Sequence, residues 1–313
     1  MGKWAYIWGG GRKVVNGKRV VDTIGVPLGW EKFCASLDYS KGYNWRDRLD
    51  RNAPYNVNEK DQLNGTDCSG FIAWLVKNTI KDSKGLTFLS KAMNIAKFYG
   101  EGKNNLGLGK FSDFTKIRKV YPGDIISMSQ AWNDEGKLED ESHVYLSLGQ
   151  FKDGSVLMLD MSGTASTVMI RGTRSRNALI NGNIKDLNSE AIDAAHYCMK
   201  KYYPDTYKDW KLDKNRNYIC AKDDYRLDSC MHWKTKGPNS IISDREGYQS
   251  KSPYEVLSDV FGEKINRDVI VKYLNQDSQS KGEQSNTVIQ DERKQRSNLA
   301  QRKRKPHGES RTL

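Results

Sequence analysis

The spacing of apolar residues changes along the chain, and each change predicts an element. Val14-Val15 and Val20-Val21 flank Asn16-Gly17, a favoured tight turn, so a short hairpin is expected there. Residues 38–64 set Tyr39, Tyr43, Trp45 and Tyr55 among charges and asparagines and read as a long ordered loop. Phe71, Ile72, Leu75 and Val76 then recur at helical spacing, and Asn64-Gly65-Thr66-Asp67 before them supplies a turn and capping groups. This predicts a helix starting beside Cys68. A second helical stretch runs from Phe88 to Tyr99 on Leu89, Met93 and Ala96, with a stop at Gly100.

Farther along, the period falls to two. Pro122-Gly123-Asp124 reads as a turn and Ile125–Met128 as a short strand. Val144, Leu146 and Leu148 alternate with Tyr145 and Ser147, a strand that opens at His143. Asp153-Gly154 marks a hairpin turn, with Val156–Met161 as the partner strand. Residues 188–203 form an amphipathic helix that begins at Asn188 and stops before Pro204. Ser252-Pro253 and Phe261-Gly262 bracket another. A helix followed by antiparallel strands implies an α+β fold.

Composition modifies this picture at the ends. Of 313 residues, 51 are Lys or Arg and 39 Asp or Glu, a formal net charge of +12, which favours an acidic partner: nucleic acid, anionic membrane or an acidic wall polymer. From Gln276 onward apolar residues nearly vanish, and Arg302-Lys303-Arg304-Lys305 completes a basic tail expected to be disordered. No stretch approaches the roughly 20 apolar residues of a membrane span. The first ten residues lack the apolar run and cleavage site of a signal peptide. Five cysteines (Cys34, Cys68, Cys198, Cys220, Cys230) are too few and too scattered for a disulfide framework.

Chemistry concentrates on three residues. A cysteine attacks an acyl carbon as thiolate, a form favoured at a helix N-terminus beside an imidazolium. Asp67-Cys68-Ser69-Gly70-Phe71 places a sulfur at such a helix start, where the first-turn amides can face an oxyanion. His143, opening its strand, can share a proton with Cys68. Asp160, on the partner strand, can hold the ring by its other nitrogen and favour the imidazolium; Ser162 competes for that place.

These residues resemble a known family. Tyr6-Ile7-Trp8-Gly9-Gly10, Asp67-Cys68-Ser69-Gly70-Phe71-Ile72, Pro122-Gly123-Asp124-Ile125 and Ser142-His143-Val144-Tyr145-Leu146-Ser147-Leu148-Gly149 resemble, in order, the motifs of NlpC/P60 cysteine peptidases. The resemblance reaches to about Gly163, with residues 11–66 standing where the family has a short link, and with Asp160 where it more often has His, Asn or Gln. It implies a papain-like core, a cysteine-bearing helix packed on an antiparallel sheet, that cuts amide bonds in peptidoglycan stem peptides. It makes Cys68 the nucleophile, His143 the base and Asp160 the third polar residue. Tyr6, with Asp67 and Ser69 flanking the cysteine, would lie on the substrate side. No cofactor is implied.

The expected organisation is therefore a catalytic domain over 1–170 with an insertion at 11–66, an α-rich extension over 171–275, and a basic tail over 276–313 that can touch anionic wall polymer. Nucleic acid is not the expected partner, and action at a bacterial wall would require an export route the sequence does not encode. Two rival readings are a toxin-like amidase acting on a protein substrate and a catalytically inactive wall-binding module. His196, Cys198, Cys220, Cys230 and His232 lack the spacing of a recognised zinc site. A Cys220–Cys230 bridge is a minor alternative to inert thiols.

Overall fold

The computed structural model describes residues 12–15, 18–21, 68–79, 100, 107–117, 119–128, 131–132, 138–139, 143–162, 167–209, 212, 219–221, 224–235 and 247–276. The expected loop over 38–64, the helix over 88–99 and the tail beyond 276 lie outside them. The hairpin at Asn16-Gly17 is present: β1 (Arg12–Val15) and β2 (Lys18–Val21) pair antiparallel with Val15 opposite Lys18, which leaves two residues for the turn.

The helix α1 (Cys68–Thr79) begins at the cysteine itself and buries Phe71, Ile72 and Val76. A six-stranded sheet follows, all its pairs antiparallel: β3 (Gly109–Asp113), β4 (Ile125–Met128), β7 (His143–Gln150), β8 (Val156–Ser162), β9 (Thr167–Gly172) and β10 (Ser229–Trp233), in the order β3-β10-β4-β7-β8-β9. Two-residue strands β5 (Ala131–Trp132) and β6 (Leu138–Glu139) form a separate ribbon between β4 and β7 in the chain. The helices after β9 are α2 (Arg176–Ile180), α3 (Glu190–Tyr202), α4 (Pro204–Asp209) and α5 (Pro253–Phe261).

Local chemistry accounts for the boundaries. Ser189, one residue after the expected Asn188, caps α3 by accepting the Ile192 amide, and Pro204 both ends α3 and opens α4. Ser252 and Glu255 form a capping box on α5, whose end is Gly262 at φ 68°. The strand that opens at His143 passes through Gly149 by a bulge: Gly149 sits at φ 111°, its amide donates to Ser147 Oγ at 2.9 Å, and the pairing with β8 shifts there. Gly172 serves close approach instead, since a Cβ on it would lie 2.3 Å from the Ala191 carbonyl carbon. This lets α3 settle on β9 and β8, while α1 packs on β7 and β8.

The sheet departs from the expected division at residue 170. Ser229–Trp233, from within the expected extension, is the strand between β3 and β4, with Cys230 opposite both Ser112 and Ile126. Its sequence, Ser-Cys-Met-His-Trp, mixes polar and apolar residues without alternation, although all but His232 are buried. Compactness divides the chain after Arg267: one unit spans Met1–Arg267 and the other Asp268–Leu313. Residues 267–276 are helical. Among the described residues no helix is long and apolar enough to cross a membrane.

Candidate active site

Register places the chemistry. In a sheet, directly paired residues share a face, and so do residues two apart on one strand. Tyr145 lies opposite Asp160, Met128 opposite His143 and Met158 opposite Arg171, so His143, Tyr145, Asp160 and Arg171 all project from one face. α1 brings the N-terminal end of its axis, with Cys68 as first residue, against the same two strands that carry His143 and Asp160.

His143 Nε2 is 2.6 Å from Asp160 Oδ1. The Cys68 sulfur is the second group beside this ring and acts on its charge. With Nε2 taken by the carboxylate, Nδ1 is the nitrogen left for the sulfur. The Tyr145 and His143 rings meet in a T-shaped contact, centroids 4.6 Å apart and planes at 83°, which restrains the imidazole plane. Burial works against a charged imidazole, but the Asp160 carboxylate and the Cys68 sulfur outweigh it, and His143 is pushed up to about 10 from an ordinary 6.5. The ring is therefore an imidazolium at neutral pH, sandwiched between two groups that favour its charge.

Asp160 is nearly inaccessible, at 1% exposure, and has a second cationic neighbour. Arg171 Nε lies 2.7 Å from Asp160 Oδ2. The N–H is not aligned with that oxygen, so the contact is an ion pair rather than a directed hydrogen bond. The guanidinium is anchored from behind, where Nη1 donates to the Cys220 carbonyl at 3.3 Å. The segment around Cys220 is itself held on β9, because Ala221 donates to the Gly172 carbonyl and the buried Arg174–Asp224 ion pair clamps its far side.

Of the residues singled out from sequence, Cys68, His143 and Asp160 come together. Ser69 is buried as the second residue of α1. Tyr6 and Asp67 lie outside the described residues. Asp160 hydrogen-bonds the histidine; the side chain of the competing Ser162 lies outside what is described. Arg171 and the Cys220 carbonyl went unread, although the apolar run Val168-Met169-Ile170 before Arg171 is a strand signal in plain view.

The remaining cysteines are of another kind. Cys198, Cys220 and Cys230 are free and buried, so the alternative of a Cys220–Cys230 bridge does not hold. Two of these thiols face separate carboxylates, Cys220 Sγ 3.5 Å from Asp224 Oδ2 and Cys230 Sγ 3.7 Å from Asp124 Oδ2. Burial raises all three thiols, Cys220 to about 12. Among the described residues no group of three His, Cys, Asp or Glu side chains is arranged to hold a metal ion. Set against models of protein families, curated proteins and solved structures, the chain matches none of them.

Proposed function

We propose that this protein is a cysteine hydrolase that cleaves amide bonds of peptidoglycan stem peptides through a thioester intermediate. The observation that carries the hydrolase reading is the single imidazole that has Asp160 2.6 Å from its Nε2 and the Cys68 sulfur near enough to act on its charge. The choice of stem peptides rests on the resemblance to NlpC/P60 peptidases in the cysteine and histidine motifs.

In this reading the Cys68 thiolate attacks the acyl carbon and the carbonyl π electrons move to oxygen. Two features of the site favour the thiolate: the positive end of the α1 dipole and the adjacent imidazolium. The tetrahedral oxyanion forms at the same helix end, where backbone N–H groups point outward. As the C–N bond breaks, the imidazolium gives its proton to the leaving amine. The neutral ring then takes a proton from water, whose oxygen attacks the thioester, and the acid product leaves as Cys68 regains the imidazolium-paired thiolate. Asp160 remains a carboxylate throughout and holds the ring. The basic tail supplies non-specific attraction to an anionic wall.

The test is mass analysis of the products released from purified peptidoglycan by the wild-type chain and by Cys68→Ala. New amine and carboxyl ends within stem peptides, absent with Cys68→Ala, are the expected result. An inactive wall-binding module would bind the wall and release nothing. Release by the Cys68→Ala protein would remove Cys68 from the chemistry.

A further inference from the structure

The mechanism above uses Asp160 only through Oδ1. Its other oxygen faces a buried arginine on the neighbouring strand, and this arginine is not a casual surface partner. Arg171 is 3% exposed and follows the buried apolar run Val168-Met169-Ile170 in its strand. Placing a guanidinium there is costly unless the charge is compensated. The compensation is Asp160, at 2.7 Å, together with the Cys220 carbonyl behind it.

We propose that Arg171 is a positioning residue of the site, holding the Asp160 carboxylate charged and aimed at His143. This rests on the hydrolase reading of Cys68 and His143. A buried carboxylate against an imidazole has two neutral-sum arrangements, carboxylate with imidazolium or carboxylic acid with imidazole. A guanidinium, which keeps its proton at all working pH values, selects the first by stabilising the carboxylate. The reactive state is then a row of alternating charge across four elements: thiolate on α1, imidazolium on β7, carboxylate on β8, guanidinium on β9. Its net charge is zero, which suits a buried place. Removing Arg171 leaves the same state with a net negative charge, so the thiolate becomes harder to form and Asp160 easier to protonate.

The surrounding titratable groups do not replace it. On β7 the Tyr145 ring meets the imidazole in a T-shaped contact. Behind Arg171, the Cys220 thiol is pushed up by burial to about 12 and carries no charge. Asp224 is committed to Arg174 through an ion pair and a backbone amide at 2.6 Å. Arg171 is thus the cation that reaches Asp160 from this side, and its position depends on a segment about 50 residues farther along the chain.

The experiment measures alkylation of Cys68 by iodoacetamide in the full chain, resolved from the other cysteines by peptide mass. At about pH 6, below an ordinary thiol near 8.5, only an imidazolium-paired sulfur reacts quickly. Arg171→Gln is expected to slow that reaction about tenfold, and Arg171→Lys, which keeps a cation, to stay within about twofold of wild type. In an Asp160→Asn background Arg171→Gln should change the rate by no more than about twofold, because its effect passes through the carboxylate. A folded Arg171→Gln protein alkylated at the wild-type rate overturns the proposal, as does an undiminished effect in the Asp160→Asn background. If Arg171→Gln alone fails to fold, the Asp160→Asn/Arg171→Gln chain has an amide pair in place of the ions and carries the comparison with Asp160→Asn. Failure of the hydrolase reading looks different: wild-type Cys68 would then react at about pH 6 no faster than Cys68 in His143→Ala.

Discussion

Two histidine–aspartate pairs sit on this sheet, each with a cysteine beside it, and only one fits the acyl transfer proposed above. His143 Nε2 meets Asp160 at 2.6 Å, and His232 Nδ1 meets Asp124 at 2.7 Å. Both carboxylates are almost fully buried. The order of contacts separates them. At the first pair the cysteine acts on the imidazole, and the imidazole in turn meets the carboxylate. At the second the Cys230 thiol points at the carboxylate, 3.7 Å from Asp124 Oδ2, and burial raises it far from thiolate formation. Asp124 also accepts the Tyr121 amide at 2.9 Å, in the turn that starts β4, and the His232 ring lies 4.4 Å from that of Tyr121. The same residue types thus fasten a turn in one place and, in the proposed reading, set up a nucleophile in the other. The difference is a helix N-terminus: Cys68 begins a helix, whereas Cys230 sits mid-strand.

Exchanging equivalent substitutions between the pairs gives the largest expected effect. Cys68→Ala should lower hydrolysis by at least about three orders of magnitude, and His143→Ala by a similar factor, since nucleophile and base act as one unit. Cys230→Ala should leave the rate within about twofold and cost about 1 kcal/mol of stability for a small buried void. Rates on purified stem peptides, with thermal unfolding of each variant, decide it. A Cys230→Ala protein as inactive as Cys68→Ala would erase the contrast.

A smaller effect falls on the shape of the pH profile. Because Asp160 and Cys68 hold His143 up to about 10, the active ion pair should persist until the ring loses its proton, giving an alkaline limb near that value. Asp160→Asn keeps a hydrogen-bonding group but removes the charge, so the limb should move down toward neutrality and the rate should fall about 10- to 100-fold. Asp160→Ala should do more harm by freeing the ring. As sulfur and ring titrate together, the limb belongs to the pair. An unmoved limb in a folded Asp160→Asn protein would show that the carboxylate does not set the charge of the ring.

The same shift has a stability consequence of a few kcal/mol at most. His143 takes up its proton more readily folded than unfolded, so its contribution is complete below about 6.5, declines as pH rises, and is gone above about 10. Wild-type unfolding free energy should therefore fall across this window by about 1–3 kcal/mol, a discounted figure because the side chain keeps 18% of its exposure. His143→Gln should be less stable at about pH 6 and nearly flat over the same range. Equal slopes for the two proteins would place the pH dependence elsewhere.

How much of this was readable in advance follows from where each signal resides. Helix start and strand alternation are local, so Cys68, His143 and Asp160 and their elements were legible from spacing. The caps Ser252 and Gly262 and the turn at Asp153-Gly154 were legible for the same reason. β10 was not, because a five-residue strand of mixed polarity owes its place to β3 and β4, more than a hundred residues earlier in the chain. Arg171 escaped for a related reason. Its meaning depends on Asp160 across the sheet and on the Cys220 carbonyl, and neither is close to it in sequence. His232 and Cys230 invited a metal reading as residue types; their geometry, known only once β10 is placed, gives them to Asp124.

The smallest expected effect concerns Asp124, and it tests whether the second pair is only structural. Burial raises its pKa, and the hydrogen bond and charge of His232 recover only part of that cost. A carboxyl raised in this way contributes stability below 3.8 that is lost as pH rises through its folded value, so the charged form is the expensive one at neutral pH. Asp124→Asn keeps an oxygen for the Tyr121 amide and an N–H for the His232 ring while removing the buried charge. Such neutral replacements of buried ions are often tolerated or stabilising. The unfolding free energy at pH 7 should accordingly change by less than about 1 kcal/mol, and the fall in stability that Asp124 contributes as pH rises above 3.8 should disappear. Hydrolysis and its alkaline limb should be untouched, since Asp124 has no contact with His143. A tenfold loss of rate in Asp124→Asn, with the fold intact, would mean that the turn before β4 is coupled to the catalytic ring through the β4–β7 pairing, where Met128 lies opposite His143. The two pairs would then have to be treated as one network.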